Sequence, residues 1–204
     1  MKTIGLVGGV ASGKSLVARL FVELGAGLLD ADRAGHDVLS QDPEARSAVL
    51  DRWGEKVLAS DGSINRAAIA ACVFASDDAA QSDREFLETL LHPLIRAKLD
   101  DEKRALVAAG RPAVVLDAPL LLEAGWGPLC DLVVMVDVPR DVRLARAMER
   151  GWTEAEFTRR EAAQWPVDTK SQHADAVLSN AGSIDDLRRE VGHLWDTHIA
   201  PASA

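Results

Sequence analysis

Short, continuous apolar runs alternate along this chain with longer amphipathic stretches. Five runs are too short to be helices: residues 2–7 (with Ile4, Leu6 and Val7), 27–30 (GLLD), 113–116 (AVVL), 132–136 (LVVMV) and 176–178 (AVL). Runs that do not alternate apolar with polar positions suit parallel strands buried on both faces. Between them the apolar spacing changes to three and four. In residues 15–24, for instance, Leu16, Val17, Leu20, Phe21 and Leu24 form one stripe. Strand and helix alternating in this way predict an α/β fold of three layers, with a parallel five-stranded sheet covered by helices on both faces. The alternation is interrupted twice. Residues 31–110 carry only helical patterns, among them 67–74, 82–91 and 93–109, and Pro93 fits the first turn of a new helix, which predicts a break at His92-Pro93. Residues 139–170 form a second helical stretch dense in arginine.

The turn after the first run is Gly8-Gly9-Val10-Ala11-Ser12-Gly13-Lys14-Ser15, which fits the phosphate-loop pattern G-x-x-x-x-G-K-[ST]. It follows a strand and opens a helix, the context that the pattern requires. Glycines let successive N–H groups turn inward around phosphate oxygens, and the helix start adds its positive dipole end. Gly8, Gly9, Ala11, Ser12, Gly13, Lys14, Ser15 and Leu16 are therefore the expected cradle for ATP. Lys14 would bridge the β- and γ-phosphates, and the Ser15 hydroxyl would coordinate Mg²⁺. With this loop the fold is of the P-loop NTPase type. The expected organisation is a single kinase domain: a nucleotide-binding core over about 1–30, 111–138 and 171–204, a helical substrate-binding insertion over about 31–110, and a lid over about 139–170.

Composition narrows the partners. Hydrophobic residues make up 48% and charged residues 27%, ordinary for a soluble globular protein. A formal charge of −9 argues against a nucleic-acid binder, so a polyanionic ligand has to be held by a local cluster of cations. No apolar run approaches the roughly 20 residues of a membrane span. Met1-Lys2-Thr3 leads into a strand rather than a signal peptide, and a cytoplasmic protein with no membrane or obligatory protein partner is expected. Cys72 and Cys130 stand isolated and read as reduced core residues. The five histidines lack metal-ligand spacing, and Trp53, Trp126, Trp152, Trp165 and Trp195 read as core or edge residues.

In an open α/β sheet ligands bind at the carboxyl ends of the strands. Asp30-Ala31-Asp32, Asp117-Ala118-Pro119 and Asp137-Val138-Pro139 end the second, third and fourth runs. Phosphoryl transfer needs a carboxylate to position the attacking hydroxyl and accept its proton. Asp32, beyond its strand end, is the choice for that base, whereas Asp137 reads as a helix N-cap. Arg143, Arg146 and Arg150 share one helix face by their i, i+3, i+7 spacing, with Arg159 and Arg160 further on. Their density suggests a lid closing over ATP, against the plainer reading of a solvated face. The spacing thus reaches an ATP-dependent small-molecule kinase and leaves its acceptor open, a nucleoside monophosphate or a polyol included. A GTP-binding switch is the reading from another class. No N-K-x-D segment supports it, since Asn180-Ala181-Gly182 lacks the Lys and the Asp.

The order of several segments resembles the dephospho-CoA kinase family along nearly the full chain. They are the stretch from Ile4 to Ser15, Asp30-Ala31-Asp32 with His36, Asp61-Gly62-Ser63 before Arg66, and Leu91-His92-Pro93-Leu94-Ile95. Asp117-Ala118-Pro119-Leu120-Leu121-Leu122-Glu123, Val136-Asp137-Val138, Arg146-Ala147-Met148-Glu149-Arg150 and Asn180-Ala181-Gly182 follow. The resemblance implies the last step of coenzyme A synthesis, in which ATP phosphorylates the ribose 3′-hydroxyl of dephospho-CoA. It implies Asp32 as general base and a substrate pocket that includes His36, His92, Pro119 and Leu120. Arg146, with Arg150 further along the lid, would meet phosphate, and Asn180 would lie near the adenine. The chain departs from the family pattern at Ala11 (usually Gly), Leu16 (often Thr), Gly35 (usually a small side chain) and Arg150-Gly151-Trp152 (usually a polar or acidic turn).

Overall fold

The structure, a computed structural model, describes residues 1–73 and 79–200. It divides into two compact units, one built from Met1–Asp30 with the chain from Glu102 onward and the other from Ala31–Asp101. The first unit holds a five-stranded sheet of β1 (Lys2–Gly8), β2 (Gly27–Asp30), β3 (Ala113–Asp117), β4 (Leu132–Asp137) and β5 (Ala176–Ser179). Its strand order is β2-β3-β1-β4-β5, and every neighbouring pair is parallel. Parallel pairing puts all carboxyl ends on one edge. Register makes this concrete: Gly8 lies opposite Val136, Leu6 opposite Asp117, Asp30 opposite Asp117, and Asp137 opposite Ser179.

On one face of the sheet, Ile4, Leu6, Val115, Val134, Val136 and Leu178 are buried. They pack against Val17, Leu20 and Phe21 of α1 (Lys14–Glu23) and Leu187, Val191 and Trp195 of α9 (Ile184–His198). Each such side chain taken from water contributes about 1.5–3 kcal/mol, which is why a continuous Val/Leu run settles at the centre of this fold. Leu24, grouped with the α1 stripe from its spacing, is instead 41% exposed at the helix C-cap. The opposite face is covered by the C-terminal turns of α5 (Ala79–Ala108) and by the segment after β3. Leu106 lies against Gly27, Lys103 Nζ donates to Thr3 Oγ1 at 2.7 Å, and Cys130 and Leu121 lie against Gly5. Lys103 and Leu106 pack on the sheet and belong to the first unit, while the helical unit spans Ala31–Asp101. Both cysteines are free and only half-buried rather than core residues; burial pushes the Cys130 thiol up to about 11.

Three helices follow β4: α6 (Arg140–Glu149), α7 (Glu154–Ala162) and α8 (Val167–Gln172). The Thr153 side chain caps α7 by accepting from Glu156 N, and Phe157 of that helix is fully buried against Val10 and Ala147. Pro139, with no side-chain cap bond, occupies the N-cap of α6, so Asp137 does not cap it as expected. A capping side chain has to sit directly at the helix start, and Asp137 ends β4 two residues earlier, with its side chain exposed. Lys170 on α8 is buried and pairs with Glu123 at 2.9 Å while donating to Gln164 Oε1 at 3.0 Å.

The second unit is helical: α2 (Ala31–Gln41), α3 (Pro43–Trp53), α4 (Arg66–Val73) and most of α5. Asp42 caps α3 through Ala45 N at 2.8 Å, with Pro43 in the first turn. Asp83 of α5 accepts from Trp53 Nε1 at 2.9 Å and Arg52 Nε at 2.8 Å. The break expected at His92-Pro93 does not occur, and α5 runs unbroken through Pro93. Leu91, Ile95 and Leu99, four residues apart, are buried on one face across the proline. That burial offsets the one hydrogen bond Pro93 cannot make. Phe74, the end of the helix expected over 67–74, lies outside the described residues. Among the described residues no helix is long and apolar enough to cross a membrane.

Candidate active site

The chain leaves β1 at Gly8 and re-enters regular structure at Lys14, and the loop between them is shaped by two close approaches. Gly13, the N-cap of α1, has φ 91°, and a Cβ there would run into the Asn180 side-chain amide. Gly9 leaves room for a guanidinium, since a Cβ there would stand 2.7 Å from Arg143 Nη1. Only glycine meets both demands. Ala11 adopts φ 60°, the one positive φ of a non-glycine residue among those described. Such a residue costs about 1–2 kcal/mol relative to an ordinary conformation, so the surrounding contacts have to hold it. α1 begins with no side-chain cap, which suits its first N–H groups to an anion.

Three side chains meet at the mouth of the loop. Lys14 Nζ reaches back to Gly8 O at 3.3 Å, and Ser15 Oγ donates to Asp117 Oδ2 at 3.0 Å. Burial pushes the Asp117 carboxyl above its ordinary value; the Ser15 bond and the Lys14 charge act against this, and the Asp30 charge adds to it. A hydroxyl and a carboxylate so placed are hard oxygen donors of the kind that hold Mg²⁺ together with phosphate and water. Sequence reasoning put Asp117 on the correct edge but left it outside the chosen site. What singles it out is the strand register, which the chain does not display locally.

Two expected residues grip the loop from outside. Asn180, buried just after β5, donates from Nδ2 to Ser12 O at 2.8 Å. Arg146 Nη2 donates to Asn180 O at 2.7 Å, and its Nη1 reaches Ser12 O at 3.5 Å. Arg150 stands apart, exposed at the C-cap of α6, so only Arg143 and Arg146 of the three turn toward the loop. Pro119 and Leu120 follow β3 in the same unit, with Leu120 exposed. In the helical unit, Asp32 lies in the first turn of α2 and His36 one turn on; both are exposed, and their i, i+4 spacing puts them on one helix face. His92 lies half-buried midway along α5. Among the described residues no cluster of His, Cys, Asp and Glu forms a metal cage.

Comparison with known proteins bears on the whole of this arrangement. The family model described as dephospho-CoA kinase matches residues 2–186. A dephospho-CoA kinase of Geobacillus kaustophilus is 42% identical over 198 residues, covering 95% of this chain and 96% of the relative. One from a Synechococcus strain is 43% identical, covering 95% of each. A solved structure from Thermus thermophilus matches with a TM-score of 0.81 at 32% identity over 98% of both chains. With a family match across both units and identity above 40% over nearly its whole length, the chain belongs to the dephospho-CoA kinase family.

Proposed function

We propose that this protein transfers the terminal phosphoryl group of ATP to the ribose 3′-hydroxyl of dephospho-CoA, yielding coenzyme A and ADP. The observation that carries the proposal is the family match over residues 2–186, which takes in the loop-bearing unit and the helical unit alike. A phosphate loop alone serves many acceptors, so the helical unit is where a bulky acceptor has to be recognised.

Each group has a role in this reading. The N–H groups of residues 11–16 and Lys14 hold the phosphates, with Lys14 between the β and γ groups as negative charge grows on the leaving side. Ser15 and Asp117 would hold Mg²⁺, which would supply positive charge against the phosphates. Asp32 accepts the proton of the 3′-hydroxyl as its oxygen bonds to the γ-phosphorus and the bond to the β–γ bridging oxygen breaks. Arg146 would meet phosphate from the lid segment 139–170, Arg150 would reach it only when that segment closes, and Asn180 would lie near the adenine. His36, His92, Pro119 and Leu120 would contact the acceptor, with 31–110 as the substrate-binding insertion.

A coupled ADP-release assay tests the reading, with dephospho-CoA set against nucleoside monophosphates and sugars. Mg²⁺-dependent turnover of dephospho-CoA well above the panel is the expected result. Turnover confined to another acceptor would sink it.

A further inference from the structure

Arg143 carries a charge in the interior directly beneath the phosphate loop, only 4% exposed. Burying a guanidinium is costly unless its donors are used, and here they are. Nε donates to Val138 O at 3.1 Å, and Nη1 donates to Val10 O at 3.3 Å. The same Nη1 lies 2.7 Å from Glu161 Oε1 of α7, while Glu161 Oε2 accepts from Arg140 Nε at 2.8 Å. The guanidinium also stands 5.6 Å from the centre of the buried Phe157 ring. It fills the space that any side chain at Gly9 would claim.

The position of Val10 O matters because a peptide is planar and trans, with its C=O and N–H pointing in opposite directions. A carbonyl of residue 10 held outward therefore turns the N–H of Ala11 inward. The same logic applies two residues on, where Asn180 Nδ2 and Arg146 hold Ser12 O and so orient the N–H of Gly13. Alternate loop carbonyls are thus tied from outside, which is what an inward ring of N–H donors requires. At the first of these ties the strained φ of Ala11 leaves the peptide plane dependent on its neighbours.

We propose that Arg143, fixed in place by Glu161, is a positioning residue that locks the Val10–Ala11 peptide plane so that the Ala11 N–H faces the nucleotide phosphates. The pair touches neither substrate and acts only through the loop. Through Glu161 it makes the shape of the loop depend on the docking of α7, so that the lid segment and the phosphate site are ordered together. The proposal rests on the reading of this loop as the ATP site.

Three single variants of the full chain, Arg143→Gln, Arg143→Lys and Glu161→Gln, and the double variant Arg143→Gln with Glu161→Gln test it. ATP affinity is read by titration calorimetry, with kcat, both KM values and thermal unfolding measured alongside. Arg143→Gln is expected to weaken ATP binding and raise the KM for ATP about tenfold, as for loss of one charge-assisted bond, with the KM for dephospho-CoA within about twofold. Arg143→Lys recovers part of the loss. Glu161→Gln shows a smaller loss, and adding it to Arg143→Gln brings little further change, because the two act as one unit. Should Arg143→Gln fail to fold, Arg143→Lys and Glu161→Gln carry the same expectation for ATP alone. ATP affinity within about twofold of the parent in all folded variants, or equal losses for both substrates, overturns the proposal. A parent protein that binds no ATP instead overturns the functional reading on which it stands.

Discussion

Two carboxylates near the strand ends differ in their surroundings. Asp32 sits exposed in the first turn of α2. Asp32→Asn should lower kcat on the order of 100-fold while leaving ATP affinity nearly unchanged, and steady-state kinetics with a nucleotide titration check both halves. Near-parental turnover removes Asp32 from the role of base. Asp117 is the opposite case: its pKa is raised by burial, so the folded protein binds that proton more tightly than the unfolded chain does. The ionised form therefore costs stability at neutral pH, and the cost fades as pH falls through the raised value toward the ordinary 3.8. Asp117→Asn still accepts the Ser15 bond. It should raise the melting temperature of the ligand-free protein at pH 7, by a margin that shrinks in acid, while cutting Mg²⁺-dependent turnover on the order of 100-fold. A variant that melts lower at neutral pH and loses no turnover would contradict both the electrostatic account and the metal assignment.

At the level of elements, α5 shows where local rules yield to packing. A proline in a helix interior removes the bond to the carbonyl four residues back, here Thr89, and normally ends the helix. Leu91, Ile95 and Leu99 nevertheless share a buried face across Pro93, and Ile95 packs close to Gly35 of α2. Pro93→Ala restores the missing donor on an exposed position and should stabilise the protein by about 1–3 kcal/mol, read as a shift in the denaturant midpoint. No shift, or a loss, would mean that the proline itself is required by the packing. The sheet, by contrast, was legible from the chain alone. Its central strands β1, β3 and β4 are buried nearly throughout, so their runs had to be apolar, whereas the edge strands β2 and β5 expose Leu28 and Val177. The five runs read from sequence coincide with β1 to β5 within a residue or so at their ends. Asp137 was misread because capping depends on where the helix actually begins, and Pro139 takes that place.

For the molecule as a whole, the division into a loop-bearing unit and a helical unit predicts that ligands protect different stretches of chain. In hydrogen exchange with Mg²⁺ and a non-hydrolysable ATP analogue, protection should rise first in the loop, α1 and the turns around β3 and α6. Dephospho-CoA added alone should protect α2 and α5 within 31–101. Protection by dephospho-CoA confined to the loop-bearing unit would place acceptor recognition elsewhere and require another role for the helical unit.

The amino-acid order by itself determined the parallel α/β class, the phosphate loop and, through ordered motifs, the likeness to dephospho-CoA kinases. These depend on neighbours close in sequence: a loop needs its own glycines and lysine, and a buried strand needs its own apolar run. Tertiary structure alone decided that Asp117 meets Ser15 across 102 residues and that Arg143 meets Val10 across 133. Neither pairing leaves a local trace, because an aspartate at a strand end and an arginine on a helix are common, and only strand register and helix docking select which of them reach the loop.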